Sequence, residues 1–413
     1  MTTSNSAQRV VIIGGGPGGT SCALALQKFA SEKSIMIHII ILEGKEFDQK
    51  QHHNQCVGVL SPPLPSLLED TLDVHFPRHI CTGEIESYIL QSTDESVKLQ
   101  DDGEHSIAVR RIQFDAYMME QIQARNIEVF QARAVDLEFH ADSVIVYTEN
   151  GSLEADVVVG AFGMDDGSAA MFSRITPYRQ PKALDAVIVN MPINDYDMEK
   201  YGSSIHAFLP SNHRIEFGAI TPKCDHLTLN IAGTSVDAPL MRTFLELPEV
   251  SNILDGAEHI ISGNSPDLHY YKGRFPRSSA RGYYGDRYVM IGDASGLVRA
   301  FKGKGATTAM LTGIRAADTI LNHGISAKAF HEHYRSANHD IIQDLPYGQS
   351  MRQITLLMSN LSLMGIVLRA AQKSPDLKSA LFGAVSGHAP YREILIQILH
   401  PKVILELLRS IRK

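Results

Sequence analysis

The constraint that shapes this chain most lies near its start, Arg9-Val10-Val11-Ile12-Ile13-Gly14-Gly15-Gly16-Pro17-Gly18-Gly19-Thr20. A β-branched apolar run ends at a glycine cluster, and the small-residue segment Ser21-Cys22-Ala23-Leu24-Ala25-Leu26 follows. Gly14, Gly16 and Gly19 have the G-x-G-x-x-G spacing. In that pattern Gly14 makes the tight turn, Gly16 lets backbone approach a pyrophosphate, and Gly19 lets helix pack on strand. The free N–H groups and positive end of the helix then face phosphate, with Gly18 in its first turn. Bare spacing is weak evidence, but here an acid answers it. Met36-Ile37-His38-Ile39-Ile40-Ile41-Leu42 reads as a buried strand, and Glu43 stands at its carboxyl end. That is about 20 residues past the glycines, where a carboxylate accepts from a ribose 2′-OH. The unit predicts a bound ADP moiety.

The 413 residues suggest two to three domains at roughly ~150 residues each. A net charge of -8 without any long basic run gives no reason to expect nucleic acid. The four cysteines, Cys22, Cys56, Cys81 and Cys224, form no C-x-x-C pair. They indicate neither a zinc site nor a disulfide framework, and they suit a reducing, cytoplasmic setting. His52 and His53 are adjacent, point apart and lack a third ligand, so no metal is expected. Met1 to Gln8 is polar and reads as a frayed terminus rather than a signal peptide. Ile354 to Leu368 is too short and too interrupted to span ~30 Å of hydrocarbon.

Along the chain, the loop Gln55-Cys56-Val57-Gly58 leaves two readings open for Cys56: a functional thiol beside a ligand, or a small buried hydrophobe. Ile85 to Leu99 and Ser106 to Val109 alternate as strands. Phe114, Met118, Met119 and Ile122 have helical spacing, and Arg111 just before them could reach a diphosphate or lie on the surface. Ile127 to Phe130 with Ala132 to Val135 reads as one more parallel strand, beside the first two. Val144 to Tyr147, Ala155 to Gly160 and the run Asp156 to Gly163 are further strands. From about 181 to 281 alternating segments, Ala186 to Met191, Ser204 to Leu209, Arg214 to Ala219 and Leu227 to Ala232, suggest an inserted antiparallel sheet. His206 and Phe208 share one face there, turned either to a ligand or to a core. The stretch Asp286 to Gly296 reads as a strand ending in Gly292-Asp293. A second glycine cluster with Gly303 and Gly305-Ala306 opens a helix to about Leu321. Asp293 can accept from a sugar-like hydroxyl, and that helix start can stabilise negative charge. The remainder is helical. Tyr391 to Ile411 carries Lys402, Arg409, Arg412 and Lys413 at its polar edge, which suits either an anionic membrane surface or packing on the body.

The fingerprint with Glu43, the Arg111-to-Asp115 segment, the strand Asp156 to Gly163 and Gly292-Asp293 with its glycine-rich helix resemble the FAD-dependent hydroxylase-type flavoproteins. Within them the chain is most similar to the geranylgeranyl reductase family. Gln55-Cys56-Val57-Gly58 resembles that family's Cys-Gly-Gly loop, whose cysteine faces the flavin. His206-Ala207-Phe208-Leu209-Pro210 resembles its Tyr-x-Trp-x-Phe-Pro stretch, and Leu381 to Gly387 with Tyr391 its carboxyl-terminal segment. Three departures stand out. Phe162 replaces an acidic residue in Gly160-Ala161-Phe162-Gly163. Lys302 and Lys304 add positive charge to the glycine-rich helix start. The chain has no tryptophan, which argues against the related flavin halogenases.

The resemblance implies an α/β fold: a Rossmann-like FAD-binding domain (1–180, with an inserted loop 44–106, and 282–325), an inserted antiparallel β-sheet substrate domain (181–281) and a helical carboxyl-terminal region (326–413). It implies FAD held by Gly14, Gly16, Gly18, Gly19, Glu43, Arg111, Ala134, Gly292, Asp293, Gly303, Gly305 and Ala306. It also implies NAD(P)H as electron donor, Cys56 as catalytic residue, and His206, Phe208 and Pro210 at the substrate. The expected activity is reduction of C=C bonds in an apolar isoprenoid, with the protein peripheral on a membrane through its last helices. Two rivals remain: hydroxylation of an aromatic or polyketide-like substrate, and flavin electron transfer to a redox partner at a membrane surface.

Overall fold

The computed structural model describes residues 7–45, 56–100, 103–193, 198–254, 269–298, 305–387 and 389–411. Gln8–Ile13 is the hub of a six-stranded sheet. Ile37–Leu42 and Glu128–Phe130 follow on one side of it, and Val157–Gly160, Tyr288–Met290 and Tyr284–Gly285 on the other. All joins are parallel except the last. The strand order therefore reverses beside the first strand, where open α/β sheets bind ligands outside their carboxyl ends. Val10, Val11, Ile12, Val157, Val158 and Val159 are fully buried. Helices cover both faces of such a strand, so it reads as a continuous apolar run rather than an alternation.

Two helices lie together on this sheet, Pro17–Glu32 and Gly305–Asn322. Small residues set how close they come. A Cβ on Gly313 would lie 2.5 Å from Gly18 O, and one on Gly18 would lie 3.3 Å from Ala309 O. The Ser21 hydroxyl donates to Gly18 O at 3.0 Å. This contact aligns the starts of both helices toward one cavity.

The segment Ala132 to Val135 does not extend the parallel sheet. Ala134 opens Ala134–Phe139, which joins Val144–Thr148 and Gly151–Ala155 in a separate antiparallel three-stranded sheet. The turn at Gln131 to Arg133, after only three paired residues, is what the apolar pattern hid.

The second large sheet has seven strands in the order Tyr270–Pro276, Ala183–Pro192, His226–Gly233, Ile215–Lys223, Ser204–Phe208, Ser87–Gln91 and Ser96–Gln100. Its composition departs from the expectation of an antiparallel sheet contained in 181–281. The strands Ser87–Gln91 and Ser96–Gln100 come from within the first cofactor-domain segment. Ser87–Gln91 pairs in parallel with Ser204–Phe208. Strand pairing across more than a hundred residues of chain leaves no local pattern to read.

The carboxyl-terminal helices are His339–Asn360, Met364–Lys373, Pro375–Ser386, Tyr391–Ile398 and Pro401–Ile411. Pro401 divides the helix expected over Tyr391 to Ile411. The long helix is tied to the sheet by a buried two-bond pair, Arg352 Nε and Nη2 donating to the Glu216 carboxylate. Among the described residues no single helix is long and apolar enough to cross a membrane. His339–Asn360 and Met364–Lys373 pass that test only as a pair, bent by 109°.

Candidate active site

Between the two large sheets lies one cavity of about 930 Å³. The glycine loop forms its innermost end. Gly14 has φ +112°, and a Cβ there would meet Ala161 O at 2.5 Å, so only glycine makes this turn. A Cβ on Gly19 would fall 1.9 Å from Gly14 O, which lets helix and loop touch through backbone. Gly16 lines the cavity, and a Cβ there would meet nothing within 4 Å. Glu43 closes the loop. One carboxylate oxygen accepts from Gly15 N at 2.8 Å and the other from Lys45 N at 2.9 Å. The carboxylate is thus fixed beside the glycines before any ribose arrives.

The opposite wall comes from the return of the chain. Gly292 has φ +58°, and its N–H donates to Thr312 Oγ1 at 2.8 Å, which turns Asp293 into the cavity. Burial pushes the Asp293 carboxyl up to about 6, against the opposing pull of Arg111. Arg111 opens the helix Arg111–Ala124 and is not an exposed cation. Its Nε donates to Asp115 Oδ1 at 2.7 Å, with the Arg111 side chain only 13% exposed. Burial works against its charge, but Asp115 and then Cys56 outweigh that effect and hold the guanidinium above its ordinary value. Ala134, Gly305 and Ala306 also line the cavity. Gly303, Lys302 and Lys304 lie outside the described residues, as do His52, His53 and Gln55.

These residues fit FAD. The space above Gly16 is a cradle that any side chain would invade, two helix starts face it, and the carboxylates of Glu43 and Asp293 line it as acceptors for hydroxyl groups. Gly14, Gly16, Gly18, Glu43, Arg111, Ala134, Asp293, Gly305 and Ala306 share one cavity, while Gly19 acts from behind it. Phe162, in place of the acidic residue, lines the same cavity and stacks on Phe172 with ring centroids 5.6 Å apart.

The Asp293 carboxyl gives a pH prediction. Its ordinary value is 3.8, and in the folded protein it takes up a proton below about 6. Only the ionised form is a full acceptor for a cofactor hydroxyl, so FAD affinity should fall as pH drops through about 6 and stay level above it. Asp293→Asn should remove that inflection and weaken FAD binding about tenfold or more at neutral pH, the scale of one charge-assisted hydrogen bond. Titrating apoprotein with FAD by fluorescence quenching from pH 5 to 8 checks both expectations.

Cys56 is an exposed thiol on the cavity wall, which settles its location against the buried reading. Gly58 N donates to its Sγ at 3.4 Å. Gly58 itself has φ +72°, with Val109 O only 2.1 Å from where a Cβ would sit. Beside it is a residue that sequence reading missed, Lys223. Its ammonium is buried and donates to Val109 O at 3.0 Å, and burial pushes it down to about 8. A lysine ending a strand carries no signal of burial.

The substrate residues expected from the sequence are on the wrong side of the sheet. Phe208 is 1% exposed and packs edge-on to Phe244, with centroids 5.6 Å apart, in the core behind the sheet. His206 Nδ1 pairs with Gln91 Nε2 at 3.0 Å, and its ring abuts Tyr201. Burial lowers the pKa of its imidazole. Pro210 O accepts from the Ser359 hydroxyl at 2.8 Å. It is the alternate residue, Ile205, that faces the cavity, together with Ala186, Ile188, Phe217, Ala219, Thr221, Asn230, Ala232 and Phe275 on neighbouring strands. A period of two groups residues by face but does not say which face meets ligand.

Comparison with known proteins finds likenesses of sequence and of fold. Residues 11–165 match a family described as FAD-NAD(P)-binding. Over 330 residues the chain is 23% identical to the chloroplastic geranylgeranyl diphosphate reductase of Nicotiana tabacum, covering 76% of this chain and 66% of that protein. The chain therefore spans just under two thirds of that relative's length. In fold it is similar to a geranylgeranyl bacteriochlorophyll reductase-like protein from Thermoplasma acidophilum, with a TM-score of 0.72, 15% identity, and coverage of 98% of this chain and 100% of that one. It is also similar to a halogenase solved in complex with FAD, with a TM-score of 0.64, 13% identity, and coverage of 97% and 88%. With the glycine loop, Glu43 and Asp293 around one cavity, the chain shares its fold with FAD-dependent flavoproteins and is similar, at low identity, to a geranylgeranyl reductase.

Proposed function

We propose that this oxidoreductase reduces C=C bonds of an apolar, isoprenoid substrate. The observation that carries the reading is the sheet face roofing the cavity. Ala186, Ile188, Ile205, Phe217, Ala219, Ala232 and Phe275 make a wide apolar wall opposite the cofactor-binding residues. Burying a prenyl chain there contributes about 25 cal/mol per Å² of apolar surface removed from water. Reduced FAD, when bound, supplies the hydride. Glu43, Arg111 and Asp293 would hold and orient the cofactor, the apolar wall would exclude water, and Cys56 Sγ–H, on the same cavity, would give the proton that completes saturation. NAD(P)H or a redox partner protein would supply the electrons.

The carboxyl-terminal helices support a membrane-surface source for such a substrate. Ile396, Leu399, Leu405 and Leu408 are exposed beside Lys402 and Arg409, while Val403 packs inward. Apolar side chains flanked by cations suit an anionic lipid surface.

The test is anaerobic. Chemically reduced holoenzyme mixed with geranylgeranyl substrates should yield saturated product by mass spectrometry without oxygen. Cys56→Ala should slow that step about tenfold to a hundredfold or more, as loss of a general acid does, while leaving FAD content unchanged. Turnover that requires oxygen and inserts it into an aromatic substrate would instead establish the hydroxylase reading. Unchanged turnover in Cys56→Ala would remove the thiol from the chemistry.

A further inference from the structure

We propose that Thr221 and Asn230 form an uncharged anchor in the cavity roof for a neutral oxygen function of the substrate, a hydroxyl or carbonyl. The inference deepens the reading of the cavity as a substrate site and rests on it. Thr221 is 1% exposed and Asn230 6%, and both line the cavity. Thr221 Oγ1 and Asn230 Oδ1 are buried without a hydrogen-bond partner. A buried polar atom left unpaired forfeits its hydration for nothing, so native structures seldom keep two side by side.

The two residues are neighbours. In the antiparallel pairing Thr221 lies opposite Thr228 and Ala219 opposite Asn230, so Thr221 and Asn230 are diagonal across adjacent strands. Diagonal positions on one face are about 7–8 Å apart at Cα, a span one oxygen atom can bridge. The neighbouring polar pair shows the contrast. Thr228 Oγ1 donates to Asn190 Oδ1 at 2.9 Å and needs nothing from a ligand. Thr221 and Asn230 instead interrupt a wall of Ala186, Ile188, Ala219 and Ala232.

The chemistry of the pair selects the ligand. A hydroxyl both donates and accepts, and a carboxamide can turn to offer oxygen or nitrogen. Neither carries charge. Of the cations close to this face, Lys223 donates to Val109 O, and Arg274 pairs with Met164 O and Asp166. A diphosphate here would lose its hydration and meet only cations that already have partners. An alcohol or ketone would satisfy both orphaned atoms.

The test measures binding to FAD-loaded protein through perturbation of the flavin absorbance. The probes are geranylgeraniol, geranylgeranyl diphosphate and the isoprenoid hydrocarbon neophytadiene, with naphthol and naphthalene as an aromatic pair. The alcohol should bind at least about tenfold tighter than the hydrocarbon, and tighter than the diphosphate. In Thr221→Val/Asn230→Leu the alcohol's advantage should vanish, with hydrocarbon binding unchanged or stronger. Thermal stability should not fall, because two unpaired polar atoms are replaced by apolar ones of like size. Thr221→Val alone should show half of the effect if the double variant folds poorly. A diphosphate that binds more tightly than the alcohol, or a preference for oxygen that survives both substitutions, overturns the anchor. Oxygen preference seen only with the naphthol pair would sink the isoprenoid reading and leave the anchor standing. Isoprenoids that bind without any oxygen preference would do the reverse, and failure of both pairs to bind overturns both.

Discussion

Gly19→Ala should yield protein that neither folds to full stability nor retains FAD, while Gly16→Ala, three residues away, should fold normally and lose only the cofactor. The two glycines serve opposite sides of the same loop. At Gly19 the new methyl would sit 1.9 Å from Gly14 O and 3.1 Å from Gly14 C, both backbone atoms that cannot rotate away. Relief requires prising the helix Pro17–Glu32 off the first strand, and that helix is also clasped to Gly305–Asn322 through Gly18. Overpacking of this kind costs about 1–3 kcal/mol where side chains can yield, and more where backbone must move. At Gly16 the backbone is extended, with φ -71° and ψ -177°, which any residue adopts, and no atom lies within 4 Å of the added methyl. That methyl enters the space where backbone must approach a pyrophosphate. Thermal unfolding of the apoproteins separates the variants: Gly16→Ala should match the parent and Gly19→Ala should melt far earlier. FAD titration should show weakened binding in both. Identical melting of Gly19→Ala and parent would refute this assignment of roles.

Arg352→Met should destabilise the protein by about 3–5 kcal/mol, the usual cost of stranding one member of a buried ion pair. Glu216 and Arg352 are 8% and 7% exposed, and their two hydrogen bonds join the sheet strand Ile215–Lys223 to the helix His339–Asn360. Without the guanidinium, Glu216 is left as a carboxylate in a site with little water. The double variant Glu216→Gln/Arg352→Met should recover much of the loss, because no unpaired charge remains. Phe217, adjacent to Glu216, lines the cavity, so substrate affinity should fall along with stability in the single variant. Denaturant titration of the two variants against the parent measures the difference. Equal stability of single and double variants would show that the pair contributes through packing alone.

Much of the cofactor site was legible because its requirements are local. A strand, a turn with φ above zero, a close backbone contact and an acid at the next strand's end all fall within Arg9 to Glu43. The Gly292-Asp293 turn repeats the logic on a smaller scale. The roof was harder to read, for a nonlocal reason. Alternation in Ser204–Phe208 set His206 with Phe208 and Ile205 with Ala207. Choosing the outward pair needs the knowledge that Phe244 packs behind one face and that the cavity lies before the other. The resemblance to a family stretch pointed to His206, Phe208 and Pro210, yet the side chain that reaches the cavity is Ile205. Thr221 and Asn230 were passed over because a Thr or an Asn in a strand reads as solvated. Their meaning appears only once both are seen to be buried on a face of alanines and isoleucines.

The parallel join between Ser87–Gln91 and Ser204–Phe208 has a consequence for how the molecule can be made. The roof draws strands from three separate lengths of chain, and the cofactor sheet waits for Tyr288–Met290. A ribosome must therefore deliver the chain through Pro276 before the roof is whole, and through Met290 before the cofactor sheet is. Until then the exposed strand edges are open to pairing with other chains. Cutting the protein at any apparent domain border would leave that hazard permanent, so the two sheets should be obtainable only as one piece.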